Sequence, residues 1–270
     1  MAVPTWTLAE LRDVLGALGV GPSATLLVHA SLLHLGRLDG IARTDAADRI
    51  IDCILDVLGP DGTLVMPASN WDFGRLGSTF DLQATPPAAD LGVLATALQR
   101  RTGSVRSANP TFSISALGSR AAWLCGGGNM HNMGFDSAWD RLYRLDAGML
   151  FLGCDLGALS FARYMEMRFG VPYLYNKLFR TPVVDGGVAL PQPVVSLLRY
   201  ADLPVDYDFE RFAAALRRRG VLREAPLGGG SARVITMHDC FDAGMDCLKE
   251  DVHYFLAGPP QYSPDHLPLA

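Results

Sequence analysis

Residues 25–29, Thr-Leu-Leu-Val-His, and residues 63–66, Thr-Leu-Val-Met, are two short apolar runs on either side of a periodic segment, Asp45 to Leu58. Each run has the length and the aliphatic composition of a buried strand. In the segment between them, apolar residues recur three and four positions apart from Ile50 to Leu58, which predicts an amphipathic helix. The order strand, helix, strand predicts a compact supersecondary unit of the kind from which α/β folds are built.

Similar signals continue on both sides of this unit. Thr7 and Glu10 form a capping box ahead of a first helix, and Met149 to Cys154 is a further buried strand that leads into a helix. From about residue 173 to 230, short alternating runs broken by Pro and Gly predict a smaller β-rich excursion with an antiparallel hairpin. We therefore expect residues 1–270 to form a single α/β domain with a central mixed sheet flanked by helices.

The composition disfavours several classes of protein. Of the 270 residues, 49% are apolar and 19% are charged, which is typical of a folded globule. The net charge of −5 argues against nucleic acid as a partner, because phosphate binding needs clustered positive charge. Charged residues or His interrupt every apolar run before the roughly 18 to 20 residues that would cross a bilayer, so no membrane partner is expected. The N-terminus does not resemble a secretory leader, and we expect a cytoplasmic protein.

The cysteines and histidines show no metal-binding pattern. The five cysteines are an odd number without CxxC spacing, which argues against a disulfide framework and against a structural zinc site. His131, His238 and His253 are scattered without ligand spacing. We expect free thiols and no metal.

Four polar segments fall where an α/β sheet tends to place a ligand. Three of them follow predicted strands, and the carboxyl ends of parallel strands bring helix N-termini and free N–H groups together. The fourth lies between a predicted helix and a predicted strand and is too polar to be core. In chain order the segments are Val28–Gly36, Met66–Asp72, Arg106–Pro110, and Leu152–Asp155 with its continuation to Glu166.

Through these segments and their neighbours the sequence resembles the aminoglycoside 3-N-acetyltransferase family. The family patterns V-H-x-S-L, G-T-[LI]-x-M-P and R-S-x-H-P correspond to Val28–Leu32, Gly62–Pro67 and Arg106–Pro110, the last with one difference. A fourth pattern, S-x-x-x-[RK]-[LI]-x-x-L-D, corresponds to Ser137–Asp146 and continues to Leu152-Gly153. The four matches occur in the family's order.

The resemblance implies the antibiotic N-acetyltransferase fold. It also implies transfer of an acyl group from acetyl-CoA, or from another acyl-CoA, to the amine of an amino-sugar or similar small-molecule acceptor, without a metal. Such a transfer needs a base for the amine proton and donors that stabilise the thioester oxygen. In the family, the backbone after the first strand helps to hold the coenzyme. The coenzyme-binding candidates carried over in this way are Ser31, Leu32, Gly36 and Ser107.

The sequence departs from the family pattern at two positions. The family has H-x-x-E where this chain has Arg163-Tyr-Met-Glu166, and it has His where this chain has Asn109. Arginine keeps its proton at any ordinary pH and cannot act as a base, although it can pair with a carboxylate or phosphate. Arg163 therefore favours an anionic acceptor, such as a nucleotide-linked amino-sugar, over a polycationic aminoglycoside.

Each site candidate has a structural alternative. Glu166 and His29 are the candidate bases, but Glu166 could form a surface ion pair with Arg163, and His29 could be a buried structural histidine. Asn109 is a further catalytic candidate that could instead cap the bend before Pro110.

The acceptor candidates are Arg163 with Asn70, Trp71 and Asp72, where Asp72 could hold the amine and Trp71 could stack on a sugar. The alternative for this loop is a turn-forming Asp beside a packed Trp.

The resemblance leaves two other functions open. Loss of both family histidines is compatible with a catalytically silent protein that binds a metabolite or partner. The acyl donor could also be larger than acetyl-CoA or bound to a carrier. A homodimer is possible.

Overall fold

The computed structural model describes residues 3–127, 130–191, 193–200 and 203–261. Ten α-helices lie in these ranges. They are α1 (Leu8–Ala17), α2 (Leu32–Leu35), α3 (Ala46–Leu58), α4 (Trp71–Leu76), α5 (Val93–Arg100), α6 (Ala121–Cys125), α7 (Ala138–Arg144), α8 (Ala162–Phe169), α9 (Glu210–Arg218) and α10 (Met237–Glu250).

The same ranges contain fourteen strands, several of them only two residues long. They are β1 (Thr5–Trp6), β2 (Thr25–Ala30), β3 (Arg37–Leu38), β4 (Thr63–Pro67), β5 (Phe80–Asp81), β6 (Val105–Arg106), β7 (Ile114–Gly118), β8 (Gly148–Leu152), β9 (Leu174–Phe179), β10 (Val183–Asp185), β11 (Val188–Ala189), β12 (Val194–Arg199), β13 (Arg223–Leu227) and β14 (Gly230–Thr236).

The main sheet has seven strands in the order β13-β14-β8-β2-β4-β7-β6. Its centre, β8-β2-β4, is parallel, and the strands on both sides pair antiparallel. The expected central mixed sheet flanked by helices is confirmed. The predicted strand, helix, strand unit is also confirmed, because β2 and β4 are parallel neighbours joined by α3.

Alternation along the strands builds one core on each face of the sheet. In β2, Leu26 and Val28 pack with α1, α3 and α5, whereas Leu27 packs with α6 to α10. Successive side chains of a strand point to opposite faces, so a continuous apolar run feeds both cores. The first helix begins as predicted, with a complete capping box between Thr7 and Glu10.

The β-rich part of the chain consists of two small sheets. Strands β9 and β12 form an antiparallel ribbon, and the hairpin β10-β11 pairs with β5. The predicted antiparallel pairing is therefore present, while β13, within the 173–230 range, joins the main sheet. In the described ranges, no helix is both long enough and apolar enough to cross a membrane.

Candidate active site

A cavity of about 780 Å³ lies at the carboxyl ends of the parallel strands. Residues after β2, β4 and β8 contribute to its wall, together with α4, α8 and the β9-β12 ribbon. Three of the four polar segments predicted from the sequence therefore meet here. Residues 106–110 do not line the cavity, although Thr111 and Phe112 directly after them do.

Glu166 of α8 belongs to the wall of this cavity and has no exposed surface. Its Oε1 atom accepts hydrogen bonds from the hydroxyls of Tyr173, at 3.0 Å, and Tyr207, at 2.7 Å. Its Oε2 atom lies 3.0 Å from Nη1 of Arg163. The carboxyl group is thus held from both sides, and the pair is not the exposed helix-surface contact that was one alternative.

Arg163 contacts the same tyrosine as Glu166. Its side chain is 12% exposed, and Nη1 donates to the Tyr207 hydroxyl at 2.6 Å. The guanidinium also lies 5.2 Å from the Tyr207 ring centroid and 5.9 Å from that of Phe112. The charge of Arg163 is therefore engaged inside the protein, while its buried Nε has no hydrogen-bond partner among the described residues.

Burial sets the protonation of this cluster. Removal from water raises the pKa of the Glu166 carboxyl, and the Arg163 guanidinium and the two tyrosine hydroxyls oppose that rise. Burial also raises the pKa of Tyr207 and of Tyr173. The cluster is therefore a carboxyl group of increased basicity beside two phenols that stay protonated.

His29 lines the cavity at the end of β2 and is 6% exposed. Its ring stacks on Phe151 at 5.3 Å between centroids, and burial lowers its pKa to about 4. The imidazole is therefore neutral near pH 7 and weakly basic. Cys154, also in the wall, donates to the His29 carbonyl at 3.5 Å, and burial raises its pKa to about 12, so it is a thiol and not a nucleophilic thiolate.

Residues 70–72 do not form the expected loop, because residues 71–76 form helix α4. Asn70 caps it through Oδ1, which accepts from the backbone N–H groups of Asp72 and Phe73. Trp71 lines the cavity, and its Nε1 donates to both carboxylate oxygens of Asp90. Asp72 is exposed and lies outside the cavity wall, so the structure brings Asn70 and Trp71 to the site and leaves Asp72 out.

The four coenzyme candidates are not together. Ser31 lines the cavity, and its hydroxyl lies 3.2 Å from Nδ1 of His34. Leu32 packs against the core beside α1 and α3. At Gly36 the backbone has φ +90°, and a Cβ there would collide with the carbonyl oxygen of Pro4, so this glycine is required by packing.

Ser107 and Asn109 support the loop before β7. The Ser107 hydroxyl accepts from the Ile114 N–H at 3.0 Å. The Asn109 amide donates to the carbonyls of Met130, at 2.6 Å, and Val195, at 3.1 Å, and neither Ser107 nor Asn109 lines the large cavity. The bend-capping alternative for Asn109 is present, because its Oδ1 accepts from the Thr111 N–H.

No motif in the sequence marks Tyr173 or Tyr207. Tyr207 is 41 residues from Glu166 in the chain and lies in a short connection ahead of α9. No spacing rule links it to α8, and a single Tyr before a helix is an ordinary feature. In the described part of the chain, no group of three His, Cys, Asp or Glu side chains is placed to hold a metal ion.

The chain is similar to known proteins in sequence. The family model described as aminoglycoside 3-N-acetyltransferase matches residues 27–249. The chain is 32% identical over 260 residues to aminoglycoside N(3)-acetyltransferase IV of Salmonella sp, a match that covers 94% of this chain and 92% of the relative.

Two solved structures are similar to this fold. A mutant of aminoglycoside acetyltransferase AAC(3)-IVa in complex with a gentamicin is 30% identical, with a TM-score of 0.77 and coverage of 94% of this chain and 93% of that one. The binary complex of AAC-IIIb with CoASH has a TM-score of 0.76 at 23% identity and covers 91% of this chain and 97% of that one. The second likeness concerns the fold alone.

Proposed function

Because the chain belongs to the aminoglycoside 3-N-acetyltransferase family, we propose that it transfers an acetyl or other short acyl group from a CoA thioester to an amine of an amino-sugar or similar small molecule. The observation that carries this proposal is the buried carboxyl group of Glu166 in the wall of the large cavity. An amine gives up an N–H proton when it becomes an amide, and a carboxylate of raised pKa is suited to accept it.

Glu166 is the best candidate for the base. Arg163, at the position of the family histidine, holds its proton and cannot serve. His29 is neutral, but a pKa of about 4 makes it a weak acceptor of protons. The raised pKa of Glu166 places its basicity above that of an ordinary carboxylate. Arg163 lies 3.0 Å from that carboxyl group and favours its ionised form.

The cavity suits a CoA thioester in size and chemistry. When bound, the coenzyme supplies the activated acyl group. Apolar side chains such as Leu91 and Leu94 line part of the wall, where they can contact a pantetheine arm, and Ser31 offers a hydroxyl near the end of β2. Arg75 and Lys177 place two exposed cations at the same cavity, where they can attract phosphates. Of the coenzyme candidates from the sequence, Ser31 is the one in a position to contribute directly.

A thiol-release assay tests this proposal. Acetyl-CoA is supplied with a panel of simple amino-sugars, nucleotide-linked amino-sugars and aminoglycosides, and free CoA thiol is measured. We expect acceptor-dependent release with at least one class, and binding of acetyl-CoA by isothermal titration. No binding at millimolar acetyl-CoA would contradict the proposal. Tight binding without turnover would favour the silent binder, and turnover only with a larger acyl-CoA would change the donor.

The predicted homodimer is a separate proposal. Light scattering after size-exclusion chromatography measures the molar mass in solution. A mass near twice 29.1 kDa would support it, and a mass near 29.1 kDa would contradict it.

A further inference from the structure

The carboxyl oxygens of Glu166 are close to the cavity but closed off from it. The side chain has no exposed area, and Oε2 is buried against Arg163. A water-sized molecule in the cavity therefore does not touch either oxygen, and Arg163 and Tyr207 are cavity-lining groups that contact them. If Glu166 receives the amine proton, another group has to carry the proton across this barrier.

Tyr207 is the group in the right place. It lines the cavity and is partly exposed, while its hydroxyl donates to Glu166 Oε1 at 2.7 Å. The hydroxyl oxygen of Tyr207 also accepts from Arg163 Nη1 at 2.6 Å. A phenol oxygen has one proton to donate and two lone pairs, so one lone pair is left to accept from a group in the cavity. Tyr207 thus lies in the cavity wall with a donated bond to the carboxyl group and a lone pair that Arg163 does not use.

We propose that the Tyr207 hydroxyl is the proton relay between the acceptor amine and Glu166, a proposal that rests on the proposed function. As the amine nitrogen bonds to the thioester carbon, its N–H bond breaks and a new O–H bond forms at Tyr207. At the same time the original Tyr207 proton moves to Glu166 Oε1, which becomes a carboxylic acid. Collapse of the tetrahedral adduct breaks the C–S bond, and the departing thiolate takes the proton back by the reverse route. The products are the amide and free CoA thiol, with Tyr207 and Glu166 unchanged.

The relay does not require a free phenolate. Burial raises the pKa of Tyr207, so a separately ionised phenol would be costly, but one O–H bond forms as the other breaks. Arg163 fixes the hydroxyl oxygen through its donated hydrogen bond, which directs the Tyr207 proton toward Glu166. Arginine at the family-histidine position is therefore compatible with catalysis, since it positions the relay instead of taking the proton.

Tyr173 provides a matched control in the same cluster. Its hydroxyl also donates to Glu166 Oε1, at 3.0 Å, but its side chain is fully buried and does not line the cavity. Tyr207→Phe and Tyr173→Phe each remove one hydrogen bond from the same oxygen. Only Tyr207→Phe removes a group that can touch the acceptor.

The test compares kcat, KM and the proton inventory of the two variants and the wild type in mixtures of H2O and D2O, with folding checked by thermal melting. We expect Tyr207→Phe to lower kcat by about 100-fold, the lower range for acid–base catalysis, and Tyr173→Phe by less than about 10-fold. A curved proton inventory in the wild type and in Tyr173→Phe, and a linear one in Tyr207→Phe, would support two protons moving together.

Equal losses of kcat in the two folded variants, or the same curvature in both, would overturn the relay while leaving the transferase assignment intact. If the wild type releases no thiol with any acceptor, the proposed function fails first and the relay fails with it. If Tyr207→Phe does not fold, Arg163→Lys supplies the second measurement. This variant keeps a positive charge beside Glu166 but changes the hydrogen bond to the Tyr207 hydroxyl. A kcat and a proton-inventory curvature that both match the wild type would therefore also overturn the relay.

Discussion

Nη1 of Arg163 lies 3.0 Å from Oε2 of Glu166, one helical turn away, and this ion pair is enclosed by the protein. A buried pair gains little net stability, because both charges lose their hydration. Removing one partner is costly, since the other is left as an uncompensated buried charge. The chain therefore keeps at this place a pair that stability alone does not require, at the wall of the large cavity.

Glu166→Gln should remove catalysis. The amide keeps the shape of the side chain but cannot take up a proton, so we expect kcat to fall by about 100-fold or more in the thiol-release assay. The same variant leaves Arg163 unpaired, and we expect a loss of about 3–5 kcal/mol in the free energy of unfolding, measured by urea titration.

Glu224→Gln is the matched control for that experiment. Glu224 forms ion pairs with Arg217 and Arg233, but it is partly exposed and is not in the cavity wall. We expect wild-type kcat and only a small change in stability. A Glu166→Gln variant with kcat as high as that of Glu224→Gln would exclude Glu166 as the base.

The pH dependence of kcat/KM, which reports the groups of the free enzyme, should show the raised pKa of Glu166. The base must be ionised to work, so the rate rises with pH, and its acid limb should lie above the ordinary carboxyl value of 4.5. Arg163, Tyr173, Tyr207 and Arg199 face this carboxyl group, and each favours the ionised form.

Removing the Tyr173 hydroxyl should accordingly move the acid limb to higher pH. This shift is measured by comparing the pH profiles of the wild type and of Tyr173→Phe from about pH 4 to 8. The range brackets the ordinary pKa values of carboxyl and imidazole groups. An acid limb near pH 4 that His29→Gln abolishes would instead identify His29 as the base.

His29 should make stability depend on pH. Its pKa is lowered from 6.5 to about 4 in the folded protein, so between these values the unfolded chain binds the extra proton. The contribution of His29 to the free energy of unfolding is therefore complete above pH 6.5 and is lost as the pH falls toward 4. We expect a loss of about 3 kcal/mol over this range, at about 1.4 kcal/mol per pKa unit. The free energy of unfolding, measured by urea titration at several pH values, should change with pH at different slopes in the wild type and in His29→Gln. Parallel plots of this free energy against pH would contradict a lowered pKa of His29.

The main sheet could be predicted from the sequence because its signals are local. Strand β2 is predicted by the apolar run at residues 25–29 alone, and α3 is predicted by the helical periodicity of its own residues. The seven-strand order could not be predicted, since β14 reaches β8 only through the packing of distant segments. The turn formers Asn70, Asp72 and Gly74 favour a loop at helix α4, whereas in the structure Asn70 caps this helix.

Only those site residues that belong to a sequence motif could be predicted from the sequence. The family pattern marks Arg163 and Glu166, and both line the cavity. The pattern also marks Asn109, yet its amide donates to backbone carbonyls. Tyr207 has no motif, and it joins the cluster through hydrogen bonds with Glu166 and Arg163, which lie 41 and 44 residues away in the chain. A sequence pattern therefore marked the positions near the chemistry, but not which of them reach the cavity.

Asn70→Ala should weaken the placement of Trp71. The Asn70 side chain caps α4, and losing such a cap costs about 1 kcal/mol. Because Trp71 is the first residue of α4 and lines the cavity, we expect a higher KM for the acceptor with kcat less affected.

Asp72→Ala is the control, since Asp72 is exposed outside the cavity wall. Its KM for the acceptor should stay near the wild-type value. A large rise in this KM would instead support the sequence-based assignment of Asp72 to the amine.

The charges around the cavity should select the acceptor. Arg75, Lys177 and Arg199 are exposed at the cavity, and within the described ranges none of them has an ion-pair partner. Of the two acidic residues in the wall, Glu166 is paired with Arg163, which leaves Asp90 beside Trp71. This balance favours an acceptor with an anionic group, such as a nucleotide-linked amino-sugar, over a polycationic aminoglycoside.

Lys177→Gln should therefore raise the KM for an anionic acceptor by about 2- to 5-fold at low salt, as for an exposed ion pair, and by less at about 1 M salt, where charges are screened within about 3 Å. Measuring the KM for acetyl-CoA in parallel separates the acceptor from the phosphates of the coenzyme. Lys249→Gln is the control, because Lys249 pairs with Asp246 on α10 and does not line the cavity. If only the KM for acetyl-CoA changes, Lys177 serves the donor, and a lower KM for aminoglycosides than for anionic acceptors in the wild type would contradict the charge argument.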